Sequence, residues 1–100
     1  MKLIETRKLS GRKLDYAVAV AQGYNHLGHY PLYNPSSCWE ACGFLIEKYL
    51  IRLIPTIGGW QASVGDNEVM QAETPQEAVC LAIVVSKLGN EIKIPEMLLE

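Results

Sequence analysis

Apolar residues recur at helical spacing in a first segment near the amino terminus. They are Leu14, Ala17, Val18 and Ala21. Ser10 precedes this stripe, and serine is a favoured residue for capping the first amide donors of a helix. Leu9 and Leu14 stand at the two positions of a hydrophobic staple. Gly23 follows the stripe and suits the left-handed conformation that often ends a helix. The pattern therefore predicts a first helix that starts at Ser10.

A third helix has the clearest pattern. Thr74-Pro75-Gln76-Glu77 is a capping box with proline at the first helical position. The following residues, 78 to 85, are almost all apolar and cover nearly every direction around a helix, which is typical of a buried helix. Lys87 suits the last turn, and Gly89 suits the end. We therefore predict a central buried helix over Thr74–Leu88.

A second helix lies between these two. Ser37 and Glu40 have the spacing of a capping box. The apolar residues that recur at helical spacing after them are Trp39, Cys42, Ile46, Tyr49 and Leu53. Because the later part of this segment is also rich in β-forming residues, we place the helix up to about Lys48 and a strand at Leu50–Ile54. Pro55 is expected to end that strand.

Short strands fill most of the remaining chain. Residues 1–9 alternate loosely and predict a short edge strand or a lead-in. Trp60–Val64 follows a Gly-Gly turn, Glu68–Ala72 follows a Gly-Asp-Asn turn, and Glu91–Ile94 alternates. The predicted fold is α+β, a single domain over residues 1–100 with three helices and a small antiparallel sheet of three to four short strands. The Thr74–Leu88 helix would pack on one sheet face. Such a sheet leaves edges, and edge pairing would give a homodimer.

Composition supports one globular domain. The 100 residues are 49% hydrophobic and 20% charged, and the formal net charge is −2. The first 13 residues contain five positive charges, but the chain as a whole has no basic excess, which argues against general binding to duplex nucleic acid. The sequence has no signal-peptide pattern and no apolar run long enough to cross a bilayer. Three cysteines fit a reducing compartment, so we expect a cytoplasmic protein.

The segment Tyr24–Ser37 is a long loop that holds three of the five tyrosines and both histidines. Long loops in small domains are often functional. Its candidate binding residues are Tyr24, Asn25, His26, Tyr30, Tyr33, Asn34 and Ser36. They offer aromatic rings and hydrogen-bonding groups in one stretch, a mixture that suits recognition surfaces. An equal alternative is that the tyrosines only pin the loop to the domain.

Trp39 and Trp60 are two further candidate binding residues, since an indole ring can stack on a base or another ring. Each tryptophan also lies on the apolar stripe of its predicted element. Full or partial burial in the core is therefore the favoured interpretation for both.

Two arrangements contain residue types that can do chemistry. His26-x2-His29 followed by Cys38-x3-Cys42 has the donors that zinc prefers, but the Cys spacing is not that of a tight zinc knuckle. Cys38 near a helix amino terminus is a candidate nucleophile, although nothing else in the sequence points to a reaction. Free cysteines are more often buried than reactive. We therefore expect no catalytic residue, no metal site and no cofactor.

Six runs, in this order, carry a family resemblance. They are residues 9–19 (LSGRKLDYAVA), 33–39 (YNPSSCW), 43–47 (GFLIE), 60–62 (WQA), 74–78 (TPQEA) and 86–95 (SKLGNEIKIP). Together they resemble the NinX-like family of lambdoid bacteriophages, over most of the chain from about Leu3 to Leu98. The resemblance implies a phage or prophage accessory protein in a bacterial cytoplasm, and no catalytic residue to transfer. Where this chain has Cys38 the family typically has Asp, and around Cys42 and Phe44 it typically has Gly-Gly-Pro. The cysteines are therefore expected to be peculiar to this chain.

Three functions remain open at this point. The leading hypothesis is a non-enzymatic protein that binds a host macromolecule, most of all a host protein, through the Tyr24–Ser37 loop. It predicts a flat or convex exposed patch. The alternative is a protein that sequesters a nucleotide signal, which predicts a concave pocket with aromatic rings and Arg12, Lys13 or Arg52. The third and least favoured is a thiol or zinc enzyme.

Overall fold

The computed structural model describes residues 2–23 and 33–98. These residues form three α-helices and five β-strands. In chain order the elements are β1 (Lys2–Glu5), α1 (Gly11–Ala21), α2 (Trp39–Tyr49), β2 (Ile51–Thr56), β3 (Gly59–Val64), β4 (Met70–Ala72), α3 (Pro75–Leu88) and β5 (Glu91–Ile94). A short 3-10 turn at Thr6–Lys8 follows the first strand, β1, and another at Glu96–Leu98 follows the last strand, β5. The α+β class and the predicted β5 are confirmed.

Helix α3 is the centre of the molecule. Every residue from Ala78 to Val84 is buried, because the helix packs on β2, β3 and β4 on one side and is also covered by α1 and α2. The N-cap half of the predicted capping box is present, since the Glu77 amide donates to Thr74 Oγ1 at 3.2 Å. The Glu77 carboxylate contacts the Thr74 hydroxyl, with Oε1 3.1 Å from Thr74 Oγ1. Both the position and the start of this helix are therefore as predicted.

The strands form two antiparallel sheets rather than one. In the larger sheet the order is β2-β3-β4, with Leu53 opposite Ala62 and Ala62 opposite Met70. In the smaller sheet β1 pairs with β5. Thr6 reinforces this pairing, since its amide donates to Asn90 O at 2.8 Å and its hydroxyl to Gly89 O at 2.7 Å. The carboxyl end of α3 thus places β5 beside β1 and away from the larger sheet.

The starts of α1 and α2 differ from the prediction. Ser10 stands at the N-cap position of α1, but its hydroxyl makes no capping hydrogen bond. In α2 the N-cap is Cys38, so the predicted Ser37–Glu40 capping box is wrong. The reason is a turn that comes before the helix: Asn34 O accepts the amides of Ser37 at 3.1 Å and Cys38 at 2.9 Å. Ser37 belongs to that turn and is not available to cap.

The boundary between α2 and β2 also differs. Helix α2 continues to Tyr49, and Leu50 takes a left-handed conformation with φ of 52° before β2 begins at Ile51. The prediction that Pro55 ends the strand is wrong, because Pro55 lies inside β2 opposite Trp60. Strand β2 is an edge strand, and an edge tolerates proline where its missing N–H would face solvent.

Strand β4 is shorter than predicted and begins at Met70.

Within the described ranges, no helix has the length and apolar character needed to cross a membrane.

Candidate binding surface

The described end of the long loop, Tyr33–Ser37, is held against α1. The Ser36 amide donates to Asp15 Oδ1 at 2.8 Å, and the Ser36 hydroxyl lies 3.5 Å from Gly11 O. At the other end of α1, Gln22 Nε2 donates to the Tyr33 hydroxyl. Of the predicted binding residues in this loop, Tyr33 is half-buried, Asn34 is exposed and Ser36 is buried. These contacts orient the chain for the start of α2.

Four of the predicted binding residues, Tyr24, Asn25, His26 and Tyr30, lie outside the described residues.

Asp15 is a buried carboxylate that our sequence reasoning did not select as a site residue. Burial raises the pKa of Asp15 above its ordinary value, and the hydrogen bonds from Ser36 partly oppose that rise. A single acidic residue in a helix that also contains Arg12 and Lys13 gives no distinctive signal in the sequence, so the burial of Asp15 is visible only in the structure. Its role is to anchor the loop, since a buried backbone amide needs an acceptor.

The carboxyl ends of all three helices meet. Lys48 Nζ near the end of α2 donates to Gln22 Oε1 beyond the end of α1 at 3.2 Å. The ammonium groups of Lys48 and Lys87 lie 5.4 and 5.5 Å from the centroid of the Tyr49 ring. Both lysines offset the partial negative charge of the helix ends. As a consequence, the one basic side chain of α2 is engaged beside α1 and α3.

The other half of α2 is exposed. Cys42 and Leu45 point to the core and are fully buried. On the opposite side, Trp39 is 55% exposed and Phe44 is 67% exposed. The prediction from the sequence that Trp39 lies in the core is therefore wrong. At about 100° per residue, Trp39 lies roughly 90° from the centre of the stripe formed by Cys42 and Leu45, which places it at the margin of the buried face.

We call this half of the helix the α2 face. It consists of five of the six exposed residues of α2: Trp39, Glu40, Gly43, Phe44 and Glu47. The sixth, Lys48, lies beside this face and is engaged with Gln22 and Tyr49. The two aromatic rings stand at its borders, and the glycine and the two glutamates lie between them. The Tyr33–Ser37 segment leads directly into it, so Asn34 and Ser37 extend the exposed surface beyond the first turn of the helix. Trp39 is a binding candidate from its sequence, whereas Phe44 is not, because a single phenylalanine has no distinctive pattern.

Trp60 belongs to a different part of the molecule. It is half-buried, packs against the core and lines a cleft of about 230 Å³ at the tip of the β2–β3 hairpin. Gly59 is required there, because a Cβ atom at that position would lie 2.5 Å from Ala72 O. Glu73 is the charged residue in the lining, and the cleft has no arginine or lysine among its described residues. It therefore lacks the cations expected of a phosphate-binding pocket.

The three cysteines are free thiols. Cys38 is half-buried at the N-cap of α2, whereas Cys42 and Cys80 are fully buried. Burial, followed by the neighbouring Cys38, raises the pKa of Cys42 to about 11. Burial also raises the pKa of Cys80, with smaller contributions from Cys42, Asp15 and Glu77. The two buried thiols are thus protonated at neutral pH, the form that is a poor nucleophile and a poor metal ligand.

Across the described part of the chain, no three residues of the types His, Cys, Asp and Glu come together as metal ligands. Both histidines of the zinc hypothesis lie outside that part.

The fold and this surface define a small α+β domain with one exposed aromatic and acidic helix face. A family model described as Bacteriophage P22, NinX matches residues 24–87. The match spans more than half of the chain, including all of α2, β2, β3 and β4 and nearly all of α3. The chain therefore belongs to the NinX family of phage proteins. No curated protein matches it significantly.

Proposed function

We propose that this phage accessory protein is non-enzymatic and acts by binding a protein of the bacterial host in the cytoplasm. The observation that carries the proposal is the exposure of both Trp39 and Phe44 on one helix. Aromatic residues are enriched among those that dominate the energetics of protein interfaces. Covering each ring would contribute about 1.5–3 kcal/mol at the usual value for buried apolar area.

The position of the α2 face supports the same proposal. The other exposed large apolar residues among those described are aliphatic: Leu3, Leu50 at the C-cap of α2, Ile54, Ile57 and Val69. Single exposed aliphatic residues are normal for a protein surface. Trp39 and Phe44 instead share one helix that follows the predicted binding loop. In this proposal the exposed Asn34 and the loop residues Tyr24, Asn25, His26 and Tyr30 extend the contact. Tyr33 and Ser36 act mainly by holding the loop in place.

The chemistry of the described interior favours binding over catalysis. A thiol enzyme needs a thiolate, and the raised pKa values of Cys42 and Cys80 disfavour that form. The candidate nucleophile Cys38 has no hydrogen bond from its thiol to a base among the described residues. The alternative of a nucleotide-sequestering protein is less well supported, because the cleft at Trp60 contains Glu73, which would repel phosphate.

Affinity capture tests the proposal. The tagged full chain is incubated with a bacterial lysate, and retained proteins and small molecules are identified by mass spectrometry. We expect the same few host proteins in replicate experiments, and at least about tenfold lower recovery with Trp39→Ser/Phe44→Ser. The control is Asp66→Ser, which alters an exposed turn outside the α2 face. Recovery of no protein above background, or of a nucleotide instead, would contradict the proposal.

A further inference from the structure

Two residues on the α2 face are poor choices for the helix that contains them. Gly43 lies in the middle of α2, and glycine weakens a helix interior relative to alanine. Glu47 lies in the last turn, where a negative charge opposes the helix dipole. Residues that violate local rules without an internal compensation often have a functional role.

Among the described residues, nothing requires glycine at position 43. Its φ is not among the positive values found at five other glycines. A Cβ atom built at Gly43 meets no heavy atom within 4 Å. By comparison, the same atom at Gly59 would meet Ala72 O at 2.5 Å. The absence of a side chain at Gly43 leaves an open path for another chain to approach the helix between Trp39 and Phe44.

The charges on the α2 face are not matched by ion pairs within the part of the chain that the structure describes. Neither Glu40 nor Glu47 forms an ion pair with any described residue. Lys48, adjacent to Glu47, is engaged with Gln22 and Tyr49 instead. Glu40 lies in the first turn, where the helix dipole favours a carboxylate. Of the two glutamates, Glu47 is therefore the one without a structural explanation. Together the two glutamates give the face two negative charges that form no ion pair with a described residue.

We infer that the α2 face docks a basic segment of a partner protein. The backbone of that segment passes over Gly43, its lysine or arginine side chains reach Glu40 and Glu47, and its apolar groups cover Trp39 and Phe44. This inference rests on the proposed function and adds the chemistry of the partner. Opposite charges across an interface steer association and select the partner, and aromatic anchors supply most of the affinity.

The same charges disfavour other occupants. Nucleic acid and an anionic membrane surface would place phosphates against two carboxylates. A second copy of this chain would have to offer its own basic residues. Arg7 and Lys8 pair with Glu5 at 3.1 and 3.4 Å, which leaves Lys2, Arg12 and Lys13 of the five near its amino terminus. Because those three are divided between β1 and α1 and do not form one extended segment, a basic segment of another protein fits the surface better.

Selection from a displayed library of short random peptides tests the inference, with the full chain as the target. We expect enriched peptides to carry lysine or arginine beside aromatic or aliphatic residues. A synthetic copy of the strongest peptide should bind Glu40→Lys/Glu47→Lys at least about tenfold more weakly than the native chain. Gly43→Leu should weaken it similarly, since leucine preserves the helix but fills the path. The control, Glu68→Lys/Glu91→Lys, changes two exposed charges elsewhere and should bind within about twofold.

Charge inversion gives the sharpest readout. A peptide with its lysine and arginine residues replaced by glutamate should regain affinity for Glu40→Lys/Glu47→Lys, which a merely misfolded variant would not allow. The inference is wrong if enriched peptides are acidic or uncharged, if nothing is enriched, or if both charge variants bind alike. It is also wrong if sedimentation shows a dimer that Glu40→Lys/Glu47→Lys dissociates, because the face would then be covered by a second copy. If native and charge-reversed chains capture a host protein equally well, this inference is contradicted and the proposed function is not.

Discussion

The backbone amide of Ser36 donates a hydrogen bond of 2.8 Å to the carboxylate of Asp15, across 21 residues of chain. Both residues are buried, so the carboxylate and the amide have little access to water. Each group is instead the hydrogen-bond partner of the other. It fixes where the long loop returns to the domain. Cys38, two residues after Ser36, is the N-cap of α2. The orientation of the α2 face therefore depends in part on this one contact.

Removing the acceptor at position 15 should destabilise the protein. Asp15→Ala leaves the buried Ser36 amide without a partner, and we expect it to lower the free energy of unfolding by about 1–3 kcal/mol. Asp15→Asn retains an oxygen acceptor and removes the buried charge, so its loss should be less than half as large. Urea denaturation followed by circular dichroism measures both values. Equal losses for the two variants would mean that the hydrogen bond to Ser36 contributes little.

Asp15 should also give the protein a recognisable pH dependence. Because burial raises the pKa of Asp15 in the folded state above the ordinary value of 3.8, the folded protein binds this proton more tightly than the unfolded chain. The contribution of Asp15 to stability therefore falls as pH rises from about 3.8 through the raised folded-state pKa, and is constant at higher pH. The quantity to measure is the difference in unfolding free energy between the native chain and Asp15→Asn. If that difference rises with pH over this window, the direction of the shift is wrong.

The three thiols should differ in reactivity. The pKa of Cys42 is raised to about 11 and that of Cys80 is raised further from its usual range, and both side chains are fully buried. Iodoacetamide at neutral pH should therefore label Cys38 in the folded protein, and all three cysteines in denaturant. Mass spectrometry of tryptic peptides gives the rate at each site. Labelling of Cys42 in the folded protein at its denatured rate would contradict the buried placement.

Two glycines provide a matched pair of substitutions. Gly59→Ala should destabilise the protein, because the added Cβ atom would lie 2.5 Å from Ala72 O and the strands would have to shift. Gly43→Ala meets open space within a helix and should stabilise by about 0.5–1 kcal/mol. Thermal unfolding of both variants beside the native chain measures the two effects. A loss of stability in Gly43→Ala would show that the glycine has a structural role after all.

The sequence predicted best where local signals agreed. At α3, the Thr74–Glu77 capping box, the proline at position 75 and a continuous apolar run all indicated one helix, and the structure has it there. At α2 the local signal was misleading. Ser37 and Glu40 have the spacing of a capping box, but the Ser37 amide already donates to Asn34 O in the turn before the helix. Propensity and periodicity describe a chain locally. They do not show that a turn has already engaged a residue.

The candidate site was harder to predict than the fold. Trp39 was named as a binding candidate, but its apolar spacing favoured the core, and only the position of α3 decides which side of α2 is covered. Asp15 and Phe44 were not selected, since a single carboxylate or phenylalanine has no distinctive pattern in one sequence. Their roles depend on contacts, or on missing contacts, between elements that are far apart along the chain.

The most direct test of the account is photo-crosslinking from the α2 face inside living bacteria. A photoreactive phenylalanine analogue replaces Phe44 in one variant and Asp66, on an exposed turn, in the other. The account predicts an adduct with a bacterial protein from position 44 and none, or at least about tenfold less, from position 66. Equal adducts from both positions, no adduct at position 44, or an adduct with the mass of two copies of this chain would contradict it.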